Sequence, residues 1–269
     1  MIQGSLHLAV ARRSFRRYST YTAATIAGIF TNCAFGIILS FIYIAVWKSN
    51  PTAGGYDISD ALTYTWFGQA MIMPVAIWNG GTTDEFAERV RTGDIAIDFY
   101  RPVPPLTWYL AADLGRATYH LLTRGLAPTV VGALLFDLRG PASVAAALGL
   151  LVALPLGVTV SFGLRMVVAT TTFWLLDDIG PRTLHACLAM FFCGLTVPLV
   201  LFPDGLRTVA LRLPWASFFQ VPTDIWLGRR EGWAIFTGLG QSALWIMVLL
   251  GLAGLLVRAG QRKLVVQGG

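Results

Sequence analysis

Apolar residues fall in six long runs, from about Tyr21 to Trp47, Asp60 to Asn79, Ala117 to Phe136, Ser143 to Leu176, Leu184 to Leu201 and Trp233 to Val257. A helix crosses the roughly 30 Å hydrocarbon core in about 20 residues, so this pattern predicts an all-α polytopic membrane protein with about six transmembrane helices. The fourth run is longer than one span needs and contains Pro155 and Arg165. Either the helix tilts and protrudes into the cytoplasm, or Arg165 marks its inner end; Arg165 itself reads as an intramembrane functional charge or as a snorkelling residue close to the interface. In the first run Ala24, Gly28, Asn32, Gly36 and Ser40 recur at every fourth position. Small residues let helix backbones approach and Asn32 can bond across, so Gly28, Asn32 and Gly36 mark a packing seam, within the subunit or against a second membrane subunit.

The polar intervals are as informative as the runs. Residues 1–20 start an apolar face at Ile2, Leu6 and Val10, but Arg13 and Arg17 fall near that face. An interfacial helix with snorkelling arginines is expected, with a frayed basic tail as the alternative. Residues 82–116 form the longest charged interval. Thr82 and Glu85 have capping-box spacing, Phe86 and Val90 share a face, and Gly93 suits the left-handed C′ position, so a short amphipathic helix is expected. Pro102, Pro104 and Pro105 forbid its continuation. Residues 202–230 are too apolar to float in water and too interrupted to span. Asp204 is placed to cap a short helix ending before Pro214, and Trp215, Phe218, Phe219 and Trp226 suit a membrane interface.

Composition agrees with this picture. Of 269 residues 55% are hydrophobic and 13% charged, against the roughly 25% charged of soluble domains. The net charge of +6 is spread over arginines at the ends of apolar runs, with no basic stripe, which argues against nucleic acid. Placing both termini in the cytoplasm puts roughly 13 Lys and Arg on inner flanks against about 6 outside. Cys33, Cys187 and Cys193 sit in apolar runs and read as packing residues, and Asp177-Asp178 as a solvated turn. Neither Lys48 nor Lys263 stands in a phosphate-cradling loop, so the chain is not expected to hydrolyse ATP itself. The glycines at 238 and 240 lack the strand that a dinucleotide fingerprint needs. No catalytic cluster, metal set or bound cofactor is expected.

Arg91-Thr-Gly-Asp-Ile-Ala-Ile-Asp, followed by Arg101-Pro102-Val103 and Asp113-Leu-Gly-Arg116, resembles the first cytoplasmic loop of ABC-2-type transporter permeases, in their small six-helix branch. The resemblance implies a single permease domain over residues 1–269, with a coupling helix in the 82–116 loop that docks on a separately encoded ATPase dimer. Glu85, Arg89, Arg91, Gly93, Asp94, Ile95, Arg101 and Pro102 are its candidate contacts, and ATP and Mg would be bound by that partner. The order Pro198, Phe202-Pro203, Leu213-Pro214-Trp215 and Pro222 is similar to the re-entrant region that closes the outer end of the pathway. It makes Pro198, Pro203, Leu213, Pro214, Trp215 and Pro222 outer-gate candidates. A second permease subunit, membrane lipids as surroundings, an amphiphilic, drug-like, lipid or glycan cargo and the bacterial inner membrane follow from the same likeness. The competing classes are a secondary transporter or integral-membrane enzyme with no ATPase, and a scaffold that only recruits a cytoplasmic partner.

Overall fold

The computed structural model describes residues 2–51, 53–78, 80–175 and 177–263. Asn79 and Leu176, the expected ends of the second and fourth runs, and the side chain of Ile2 lie outside the described residues. The described residues contain helices and turns and no strand. Helix α1 (Ile2–Ser19) precedes α2 (Thr22–Ser49) and α3 (Ile58–Met71). Two short helices follow, α4 (Thr82–Thr92) and α5 (Ile95–Phe99). Then come α6 (Pro105–His120), α7 (Leu126–Leu135), α8 (Val144–Thr170), α9 (Thr172–Leu175) and α10 (Ile179–Phe192). Helices α11 (Asp204–Arg212) and α12 (Gln220–Trp226) lead to α13 (Trp233–Gln261).

Among the described residues three helical stretches are long and apolar enough to cross a membrane: Thr22–Ser49, Val144–Leu175, which is α8 continued through α9, and Trp233–Gln261. The other three expected spans are shorter or composite. The second run is helical only to Met71 and then unwinds around Pro74, which has no N–H to give a helix and clashes with the preceding turn. Ala76 takes a positive φ of 47° there, a conformation that costs a non-glycine residue energy. The fifth run ends its helix at Phe192, and Gly194 turns the chain with φ 90°.

The third run corrects the expected loop boundary. Pro105, at the first helical position where its missing N–H costs nothing, starts α6 well before Ala117, so residues 105–116 are helix and not loop. A π turn over Leu121–Gly125 joins α6 to α7 in one rod. Helix α1 lies against α6, and a Cβ at Gly115 would overlap the Ala11 carbonyl oxygen, so only glycine lets the two backbones meet so closely.

The seam on α2 packs within the subunit. Gly28 lies under the Arg124 side chain, Gly36 faces the Trp66 ring, and Asn32 Nδ2 donates to the Gln69 carbonyl at 3.0 Å. Ser40 Oγ accepts from Trp66 Nε1 at 3.0 Å, while Ala24, the first residue of the pattern, stays exposed. The opposite face of α2 presents Ile26, Phe30 and Phe41 outward. A ridge that apolar suits hydrocarbon and not water.

Candidate functional site

Helix α4 is held by its apolar face. Phe86, Ala87 and Val90 are buried, and the Phe86 ring meets Tyr109 of α6 and Phe173 of α9 edge-on at 5.4 and 5.8 Å between centroids. Gly93 ends the helix in the left-handed conformation (φ 82°) and donates its N–H to the Val90 carbonyl. The expected Thr82–Glu85 capping box does not form. The N-cap is Gly81, the Thr82 hydroxyl donates to Asp113 at 3.1 Å, and Glu85 pairs with Arg17 of α1 at 2.8 Å. Both side chains find partners on other helices, and tertiary pairing outweighs local capping.

Beneath the start of α4 lies a buried ionic knot. Asp113 on α6 accepts from Arg116 Nε at 2.8 Å and from Arg165 of α8 at 2.7 Å, and all three residues are at most 2% exposed. The remaining donors of the guanidiniums go to the unwound end of the second run. Arg116 bonds the carbonyls of Met73 and Pro74 at 2.7 and 2.8 Å, and Arg165 that of Gly80 at 3.1 Å. Ser161 takes the Val75 carbonyl as acceptor. A helix that stops inside a protein leaves carbonyls without partners, and burying each one unpaired costs about 1–3 kcal/mol. The two arginines and one serine replace the missing helical N–H groups. Arg165 is thus neither a snorkelling residue nor an isolated charge. It ties α8 to α6, to α3's broken end and to the first residues of α4.

The rest of the loop divides into an inward and an outward face. Arg89 pairs with Asp98 at 2.8 Å and Arg101 pairs with the same carboxylate at 2.9 Å, while Ile95 is fully buried. Burial alone would lower the Arg89 pKa, but the hydrogen bond and charge of Asp98 outweigh it and hold it above its ordinary value. Arg89 and Ile95 are therefore committed to packing inside the subunit, and Arg101 largely so, while Glu85 stays exposed in its pair with Arg17. Arg91 leans on Glu88 and reaches Asp178 at 3.4 Å, so Asp178 is buried and ion-paired and not the solvated turn residue expected from sequence. Arg91, Gly93, Asp94 and Pro102 remain exposed. Beside them stand Ile97, 59% exposed, and Tyr100, 87% exposed, two apolar side chains three residues apart at the tip of the loop. The sequence reading did not single these out; their signal is that Ile95 and Ile97, two apart on a helix, face different sides.

At the other end, residues 202–230 fold into α11, a 3₁₀ turn over Pro214–Phe218, and α12. Pro198 opens a 3₁₀ turn over Leu199–Leu201, and Pro203 precedes α11, whose first residue is Asp204, which makes no side-chain cap. Leu213 is extended, Pro214 starts the next turn, Pro222 is buried within α12, and the Trp215 ring stacks on Phe192 at 5.8 Å. This segment is pinned by a second polar cluster. Tyr64 Oη stands 2.7 Å from both Gln220 Oε1 and the Gly194 carbonyl oxygen, and Gln220 Nε2 donates to Asp224 at 2.7 Å. Tyr56 donates to Asp224 at 3.3 Å, so both tyrosines of the α3 end grip α12.

Among the described residues no group of three His, Cys, Asp or Glu side chains is placed to hold a metal ion. The constellation is an exposed tip, an ionic knot behind it, and a tyrosine-bound cap at the far end. No curated protein sequence matches the chain. A family model described as ABC-2 family transporter protein matches residues 33–268, a stretch that takes in α4, the knot and the outer cap alike. By that match across most of its length, this helical membrane protein belongs to the ABC-2 transporter family and is a permease component.

Proposed function

We propose that the chain is the membrane-spanning subunit of an ATP-driven exporter, working with a cytoplasmic ATPase dimer and a second permease subunit. Members of the ABC-2 family normally act with an ABC ATPase. The observation that carries the reading is the pairing of an exposed apolar tip, Ile97 and Tyr100, with the ionic knot that fixes its base to α3, α6 and α8. ATP and Mg would be held by the partner, and closure of the two ATPases would push on α4 and α5. Because Thr82 and Arg165 share Asp113, that push moves α6 and α8 with the loop instead of bending it. The ATP-bound partner must favour one permease conformation over another for this to drive transport. An amphiphilic, drug-like, lipid or glycan cargo suits a subunit so apolar in its spans, carried outward across the bacterial inner membrane.

Purifying the full chain from its native membrane in mild detergent tests the reading. A P-loop ATPase in stoichiometric amount is the expected companion. Repeated isolation without any ATPase, under conditions that keep other membrane complexes whole, moves the secondary-transporter or enzyme reading to the front. Thr208→Cys should react with an impermeant thiol reagent from outside; reaction only from the cytoplasmic side overturns the orientation with both termini inside.

A further inference from the structure

Between α1, the start of α4 and α6 lies a cleft of about 380 Å³ with an unusual charge balance. Four guanidiniums line it, those of Arg13, Arg17, Arg89 and Arg101. Two carboxylates serve them: Glu85 in the wall pairs with Arg17, and Asp98 beneath is shared by Arg89 and Arg101. Arg13 has no ion partner among the described residues, so the cleft carries two positive charges in excess. Its wall is firm, because Arg101 lies 4.6 Å from the centre of the Trp108 ring and α1 is locked to α6 at Gly115.

The depth of the cleft is set by the chain. Helix α1 ends at Ser19 and the first membrane-length helix begins at Thr22, so Arg17 and Tyr18 sit within two turns of the start of that helix. Leu8, 71% exposed on α1, has no protein to cover it. A basic cleft beside an interfacial helix, at that level, faces phosphates and not open cytoplasm. Guanidinium forks match phosphate oxygens in pairs. A protein partner has a better surface in the exposed Ile97 of α5 and Tyr100 just after it.

We infer that this cleft is a binding site for the phosphate headgroup of an anionic lipid of the inner leaflet, held by Arg13 and Arg101 with Arg17 and Arg89 behind them. The inference rests on the proposed topology of α1 and not on any ATPase. An occupied cleft would bridge α1 to the coupling helix through the lipid, making the loop's position sensitive to the charge of the membrane.

The test is native mass spectrometry of the full chain released from vesicles of equal phosphatidylcholine and phosphatidylglycerol. Phosphatidylglycerol should be retained in preference, and Arg13→Gln with Arg101→Gln should cut that preference about fivefold or more. Arg207→Gln with Arg212→Gln, which removes the same charge from α11, should leave it unchanged. If the first pair does not fold, Arg13→Gln alone serves, since that side chain is exposed and unpaired. Equal retention of both lipids, or equal loss in both double variants, overturns the site. Displacement of the lipid by millimolar inorganic phosphate assigns the cleft to free phosphate, and an acidic protein retained in place of lipid assigns it to that partner; either outcome overturns the proposal. Vesicle selectivity does not depend on orientation, so a failed Thr208→Cys labelling removes the inner-leaflet assignment while the vesicle test alone decides whether the cleft selects an anionic headgroup.

Discussion

At one end of the molecule one aspartate, Asp113, holds two guanidiniums; at the other end another, Asp224, is reached by a tyrosine and an amide. Both clusters fasten an irregular segment to the helices behind it, but the bonds differ in kind. In the knot Arg116 and Arg165 donate to the Asp113 carboxylate and to backbone carbonyls of the irregular segment after α3. Nothing there can let go without leaving a charge unpaired in a dry place. In the outer cluster the single Tyr64 proton stands between two acceptors at equal distance, and the nearest arginine to Asp224, Arg230, is 3.8 Å away. One bond can be traded for another there at little cost. The knot around Asp113 is the more tightly held of the two, and the cluster around Asp224 has the exchangeable bond.

Removing the inner carboxylate breaks the comparison hardest. Asp113→Ala strands two buried arginines and should cost about 3–5 kcal/mol, seen as a large drop in the unfolding temperature followed by tryptophan fluorescence in detergent. An unchanged midpoint would show that the knot carries no load. Gly115→Leu should come next, because any side chain there drives into the Ala11 backbone, at about 1–3 kcal/mol, and should free α1 to proteolysis. Tyr64→Phe sharpens the contrast: it removes one shared hydrogen bond and should cost only about 1 kcal/mol, while altering transport or partner-stimulated ATP hydrolysis more than stability. A loss as large as that of Asp113→Ala would erase the distinction between the two ends. Smallest in stability, within about 0.5 kcal/mol, is Ile97→Asp with Tyr100→Ala, since both side chains are exposed. That pair should nevertheless abolish co-purification of an ATPase, and undiminished co-purification would remove the tip from the docking surface.

The long apolar runs, the short helix after residue 82, its left-handed glycine and the seam on α2 were legible because each depends on local periodicity or one residue's conformational freedom. The knot was not, because its members, at positions 80, 113, 116 and 165, are brought together only by the packing of α6 on α8. Thr82 and Glu85 show the same limit in reverse: their spacing is that of a cap, yet each bonds a different helix. The contact residues were half legible. The loop's charges stand out in the sequence, but charge attracts charge, and Arg89 and Arg101 turned inward to Asp98 while Glu85 paired with Arg17 at the surface. Beside the exposed Arg91 and Asp94, the tip also turns outward apolar residues that no charge count singles out. At the outer end the prolines and aromatics fixed where the chain breaks, and the grip of Tyr56 and Tyr64 on α12, some 160 residues on, lay beyond any local pattern.

The close seat of α1 on Gly115 also has a consequence for the order in which the protein comes into being. The ribosome finishes α1 and then makes roughly 100 further residues before α6 exists, which at about 5–20 residues per second is several seconds or more. Through that interval Val10 and its neighbours have no protein to cover them. The amino-terminal helix must wait on the membrane surface, or under a chaperone, for a partner not yet translated.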